Sequence, residues 1–114
     1  MKTVQIHILG EKWEINERSI DEESRFEYCD GFCDWTTRRI FVRSELEGTL
    51  EDMNVYRKKV LRHEIVHAFL FESGLAESSL PSEEWAKNEE MIDWIARNGE
   101  KIYNAWKIAG AVTG

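Results

Sequence analysis

The chain has little of what would tie it together covalently or carry it into a membrane. It contains two cysteines, Cys29 and Cys33, and one proline, Pro81. Two thiols cannot build the multi-bridge framework that holds small secreted domains together. Nor can they close a second metal site, because Cys29-Asp30-Gly31-Phe32-Cys33 has no further Cys or His nearby. They read as reduced structural thiols. No apolar run reaches the roughly 18 residues of a membrane helix, and mean hydropathy is negative, so no membrane partner is expected. The first residues, Met1 to Leu9, alternate after one lysine and lack the continuous apolar centre of a signal peptide. A cytoplasmic location is the expectation. Basic residues are outnumbered, 15 Lys and Arg against 22 Asp and Glu, for a net charge of −7. A nucleic-acid binder normally carries a basic face, so no nucleic-acid partner is expected. The one basic cluster, Arg57-Lys58-Lys59 with Arg62, reads as a solvated helix end, or more sharply as an attraction for acidic substrate groups. Repeats, low-complexity tracts and long linkers are missing too. The 114 residues are expected to form one domain, 1–114.

What is present organises an α+β reading. Val4, Ile6 and Ile8 alternate with Gln5 and His7, Gly10-Glu11 offers a turn, and Trp13 and Ile15 share the next apolar face. This predicts an antiparallel hairpin with one buried face, and His7 on its polar side reads as a surface histidine. After a polar connection at 17–24, short strands are expected at 25–29, 32–35 and 40–43, with Asp30-Gly31 as a hairpin turn that could bring the two cysteines face to face. The result is a small antiparallel sheet. A long helix is predicted over 53–73, capped by Thr49 or Asn54 and stopped at Ser73-Gly74. A second helix is predicted from Glu83 to Arg97, broken by Asn98-Gly99, and a last one over 100–109.

The chain has three histidines, and two fall in one stretch of the long helix, Val60-Leu61-Arg62-His63-Glu64-Ile65-Val66-His67-Ala68-Phe69-Leu70-Phe71. Residues four apart on a helix share a face, so His63 and His67 can offer two imidazole nitrogens to one ion. Glu64 lies beside His63, where it can act on water without being a ligand. Two neutral nitrogens and a carboxylate base are the H-E-x-x-H arrangement of a zinc hydrolase. With 17 Glu in the chain, shuffling produces this pattern on the order of once in a hundred, so context must decide. The apolar residues on nearly every side predict a core helix, in which two histidines and a glutamate need partners; a metal would satisfy all three. A catalytic zinc takes three protein ligands and keeps one position open. Trp85, Glu89, Ile92 and Ala96 form a helical stripe, which nominates Glu89 as the third ligand. Asp93, one turn on, could accept the other ring N–H of a ligand histidine.

H-E-x-x-H followed by a Glu on a later helix and an Asp four residues beyond resembles the gluzincin clan of zinc metallopeptidases. Asn88-Glu89-Glu90-Met91-Ile92-Asp93 is similar to the N-E-x-x-x-D signature of thermolysin-like enzymes. Asp93-Trp94-Ile95-Ala96 is similar to the D/N-x-F-A ending of the compact ImmA/IrrE-like peptidases of bacteria and phages, and the short chain resembles the minimal gluzincins. The likeness covers about residues 26–97. It implies a zincin-like fold, with a small antiparallel sheet followed by the H-E-x-x-H helix and C-terminal helices. It implies Zn2+ held by His63, His67 and Glu89, Glu64 as general base, and Asp93 supporting a ligand histidine. Larger members use a further Tyr or His to steady the oxyanion; here only Tyr56 and Tyr103 stand as weak substitutes.

These readings converge on a zinc-dependent metallopeptidase that hydrolyses a peptide or protein substrate through metal-activated water. The substrate is expected to add in extended form along a sheet edge near Phe32 to Trp35. The alternative is a catalytically silent metal-binding regulator or adaptor of the same fold. A structural zinc site would need four protein ligands, one more than the three candidates. Substrate specificity and oligomeric state leave no mark in the sequence.

Overall fold

The computed structural model describes residues 2–44, 50–74 and 89–113; the side chains of Glu89, Glu90, Ile92, Asp93 and Ala96 lie outside that description. In chain order the elements are β1 (Lys2–Ile8), β2 (Glu11–Arg18), a 3-10 turn (Ser24–Glu27), β3 (Gly31–Asp34), β4 (Arg39–Arg43), α1 (Met53–Glu72) and α2 (Glu89–Ile108). The class is α+β, as the alternation and helical spacing imply.

β1 and β2 form the expected hairpin, with Ile6 opposite Trp13 and Val4 opposite Ile15. Its two-residue turn is Leu9-Gly10 rather than Gly10-Glu11. Both residues have positive φ, 50° and 87°, the backbone form whose twist matches the flanking strands. The inner face continues through Ile40 and Val42 of β4. Against it pack Val60, Ile65, Ala68 and Phe69 of α1, then Ile102 and Ala105 of α2 and Ala109 just past its end, closing one core.

The sheet departs from the antiparallel expectation. Its order is β1-β2-β4-β3, and β4 runs parallel to β2. The predicted strand at 25–29 is largely the 3-10 turn, which drops Phe26 beneath the far side of the sheet. Phe26 is buried, 5.6 Å from the Phe32 ring, and Phe32 stacks on Phe41 at 4.7 Å. This aromatic cluster covers the outer face while the chain crosses over. Asp30-Gly31 therefore leads into β3 instead of turning a hairpin. The β3–β4 reversal comes at Trp35–Arg38, with Arg38 at φ 51° and Asp34 Oδ1 accepting from Thr36 N at 3.1 Å. β3 is left as a sheet edge.

α1 has nearly the predicted length but a different cap. Asp52 Oδ1 accepts from the N–H groups of Asn54 and Val55 at 3.1 and 3.2 Å, satisfying donors that helix geometry leaves orphaned. Asn54 instead sits inside the first turn, its Oδ1 accepting from Arg57; Thr49 lies outside the described residues. At the other end Ser73 caps and Gly74 takes φ 78°. The helix is anchored to the sheet by Glu72, whose Oε1 accepts from the buried Trp13 indole at 2.8 Å and from Arg38 Nε.

α2 runs straight through Asn98-Gly99, where a break was expected. Trp94, Asn98, Ile102, Ala105 and Ala109 recur at helical spacing across the junction, and burial of Ile102, Ala105 and Ala109 holds the far half in register. Asn98 Nδ2 donates to Trp94 O at 2.9 Å, so its amide supports the turn that its type usually ends. The separate helix expected at 100–109 is the second half of α2. Residues 83–88 and the side chains of Glu89, Ile92 and Ala96, hence the whole stripe read from the sequence, lie outside the description. No helix among the described residues is long and apolar enough to cross a membrane.

Candidate active site

The middle of α1 carries His63, Glu64 and His67, and the helix sorts them to different environments. Glu64 is buried on the side facing β3, whereas His63 and His67 are exposed. The expectation of a core helix with apolar residues on nearly every side is thus corrected. α1 packs on the sheet through Val60, Glu64, Ile65, Ala68 and Phe69 and leaves its histidine face open.

That face is organised. The Nε2 atoms of His63 and His67 lie 3.1 Å apart, with ring centroids at 4.7 Å and planes inclined at 71°. Two nitrogens bound to one tetrahedral zinc at about 2.05 Å each lie about 3.3 Å apart, so the pair fits one ion. In the metal-free protein one ring can donate to the other across the same gap. Partial desolvation of its ring, then the neighbouring His63, lower the pKa of His67, which favours the neutral imidazole that a metal requires. The donor set suits zinc: borderline-soft nitrogen at one face of a helix, with a carboxylate alongside.

Glu64 has the opposite shift. Burial raises its carboxyl from 4.5 to about 7. Cys33, on the inner side of β3, is pushed up to about 12, first by burial and then by Glu64 and Asp34. Cys29 is shifted up as well, first by burial. Both cysteines are free thiols, and at neutral pH both stay protonated, which makes them inert neighbours.

Glu64 and His63 line an open cleft of about 190 Å³ together with Asp30, Gly31, Tyr56, Lys59 and Val60. Its wall is the close approach of β3 to α1. A Cβ placed on Gly31 would lie 2.8 Å from Val60 Cγ1, 3.2 Å from Phe41 O and 3.4 Å from Glu64 Cγ. Only glycine lets the strand come this near the helix. Tyr56 is in the cleft, but its hydroxyl donates to Asp30 Oδ2 at 2.9 Å, and that bond raises its pKa. Tyr103 is not among the cleft-lining residues; it is half exposed on α2, with Lys107 Nζ 5.6 Å from its ring centroid. His7 is exposed on β1, as expected.

The side chains of Glu89 and Asp93 lie outside the description. Among the described residues no group of three His, Cys, Asp or Glu side chains is placed to hold a metal. No family model, curated protein or solved structure matches the chain. The reading of the site therefore stands on its own residues.

Sequence reasoning missed Asp30 and Gly31 as cleft residues, and offered Lys59 only within a basic cluster that could attract acidic substrate groups. Asp30-Gly31 carried the signal of a turn, and nothing local distinguishes a glycine needed for φ from one needed for space. Lys59 sits one turn before His63, so the stripe Lys59, His63, His67, Phe71 was available at four-residue spacing.

Proposed function

We propose that this chain is a small zinc-dependent metallopeptidase. The observation that carries the reading is the 3.1 Å separation of the His63 and His67 Nε2 atoms on an open helix face, beside a buried Glu64 in a cleft under β3, an edge strand among the described residues. His63 and His67 would hold the ion. Glu89 is proposed as third ligand, and Asp93 as the partner of a ligand ring N–H, from motif spacing alone. A zinc ion, when bound, supplies Lewis acidity that polarises a carbonyl and makes water nucleophilic near neutral pH.

The chain's own groups supply the rest. Glu64 takes the proton of the attacking water at a carboxylate oxygen and delivers it to the departing amine. Burial around Ile65, Ala68 and Phe69 fixes the rotation of α1, and with it the aim of the carboxylate and both imidazoles. β3, as an edge strand, can pair with the backbone of an extended peptide without regard to its side chains. Tyr56 would steady the oxyanion only by leaving Asp30.

That commitment of Tyr56 favours a second reading, a regulator or adaptor that binds metal in the same place and cleaves nothing. Elemental analysis of protein purified without added zinc, compared with His63→Ala, tests the centre itself: about one zinc per chain in the wild type and none in the variant is expected. Glu64→Gln separates the two readings. As a peptidase, the variant keeps its zinc and loses turnover by several orders of magnitude. If wild type and variant are equally inert across a broad peptide library, the regulator reading replaces the first.

A further inference from the structure

β3 and α1 run side by side in the same direction. At one end Asp30 bonds Tyr56 and the next residue, Gly31, lies against Val60 and Glu64; at the far end Trp35 stacks on Phe71, ring centroids 6.1 Å apart and planes 29° from parallel. Phe71 follows His67 by one helical turn on the same stripe, so it adjoins the imidazole pair. Trp35 follows directly on the β3 edge and is 53% exposed. A tryptophan this exposed, stacked on a second aromatic and continuous with both the edge strand β3 and the histidine face, leaves a flat apolar surface one helical turn beyond His67.

We propose that Trp35 and Phe71 form a specificity shelf that selects a large apolar or aromatic side chain in an extended polypeptide substrate, upstream of the bond that is cut. The inference rests on the peptidase reading and adds the substrate class. Antiparallel pairing is the more stable way to extend an edge, and it sends the substrate from Trp35 toward Asp30. The shelf then meets residues on the amino side of the scissile bond. From the midpoint of the histidine pair to Phe71 is six residues of helix, about 9 Å, which an extended chain covers in roughly three residues. The selected side chain is therefore the third residue upstream, give or take one. Lys59 at the opposite end, one turn before His63, faces the carboxyl side of the bond, so it does not compete for the same group.

The test compares zinc-loaded wild type with Trp35→Ala and Phe71→Leu on a peptide library randomised at each position around the cut, and in parallel selects for binding on the same proteins with a displayed peptide library. Trp35 is a surface residue, so its variant should fold; Phe71→Leu keeps apolar bulk and guards against a folding defect. The expected result is a preference for Phe, Tyr, Trp or Leu two to four residues upstream. Trp35→Ala should lower kcat/KM about ten- to a hundredfold for those peptides and leave peptides with Ala there unchanged. Cleavage without that preference, or a preference untouched by Trp35→Ala, overturns the shelf and leaves the peptidase reading standing. If no peptide is cleaved but apolar peptides are still selected and Trp35→Ala abolishes the selection, the peptidase reading falls and the shelf survives as a binding surface. Neither cleavage nor selection overturns both.

Discussion

Gly31 sets how closely β3 approaches the candidate site. Its φ is not positive, so the backbone does not require glycine there; the space does. Val60 is β-branched and buried, and cannot swing away from an added methyl. Gly31→Ala should cost about 1–3 kcal/mol, as overpacking does, and should move Glu64, measurable as a lower denaturation midpoint together with weaker metal binding. Glu64 makes a second prediction. In the metal-free protein its folded pKa of about 7 lies above its ordinary 4.5. The folded state therefore holds the proton more tightly, and this contribution is fully present below pH 4.5 and lost as pH rises through 7. The loss is at most about 3 kcal/mol. His67 acts in the reverse sense: its lowered pKa favours the fold above 6.5, and that advantage fades as pH falls. Glu64→Gln removes the first dependence and keeps the second. Denaturation of metal-free wild type and variant at pH 4.5, 6 and 8 should show wild type losing ground steadily as pH rises. A constant difference would show that Glu64 is not held protonated by burial.

At the scale of elements, α1 is fixed at both ends by carboxylates that composition hides among 22 acids. Asp52 caps its N-terminus, and Asp52→Ala should destabilise the protein by about 1 kcal/mol. Glu72 at the other end holds the indole of Trp13, a residue only 1% exposed. Glu72→Ala strands that N–H and leaves Arg38 with the more distant Glu11 carboxylate, at an expected cost of about 1–3 kcal/mol. The two variants should differ in character. Loss of the cap frays the first turn and leaves His63 and His67 aligned, whereas loss of Glu72 loosens the half of α1 that carries Phe71. Hydrogen exchange along α1 would separate them. All four strands, α1 and the helical state of both halves of α2 were legible, because alternation, helical spacing and the Ser73-Gly74 stop are local signals. The 3-10 turn was not, since Arg25-Phe26-Glu27-Tyr28 alternates like a strand while Phe26 is held by aromatic packing from Phe32. The continuity of α2 was not legible either, because Asn98-Gly99 is a strong local stop that packing on both sides outweighs.

At the scale of the whole molecule, the proposed metal centre is tied to stability. The histidines sit on a helix whose opposite side closes the core between the sheet and α2, so an ion that binds only the folded chain must stabilise all of it. Zinc at a hundred times its dissociation constant should add about 2.7 kcal/mol and raise the melting temperature by roughly 10 °C. The shift should vanish with a chelator and in His63→Ala. A melting curve indifferent to zinc in both proteins would remove the metal centre from this account.

By itself, the sequence determined the α+β class, the hairpin of β1 and β2, and the common helical face of His63 and His67. Each depends on periods of two or four residues within one segment. Only the tertiary structure decided that β4 enters the sheet parallel to β2, that β3 becomes an edge strand beside Glu64 among the described residues, and that His63 and His67 stay exposed. Those outcomes depend on contacts between distant segments, Phe26 with Phe32 and Gly31 with Val60, whose partners carry no mark of one another in the chain. Spacing within a helix fixes which side chains travel together, but what stands opposite them is settled by packing.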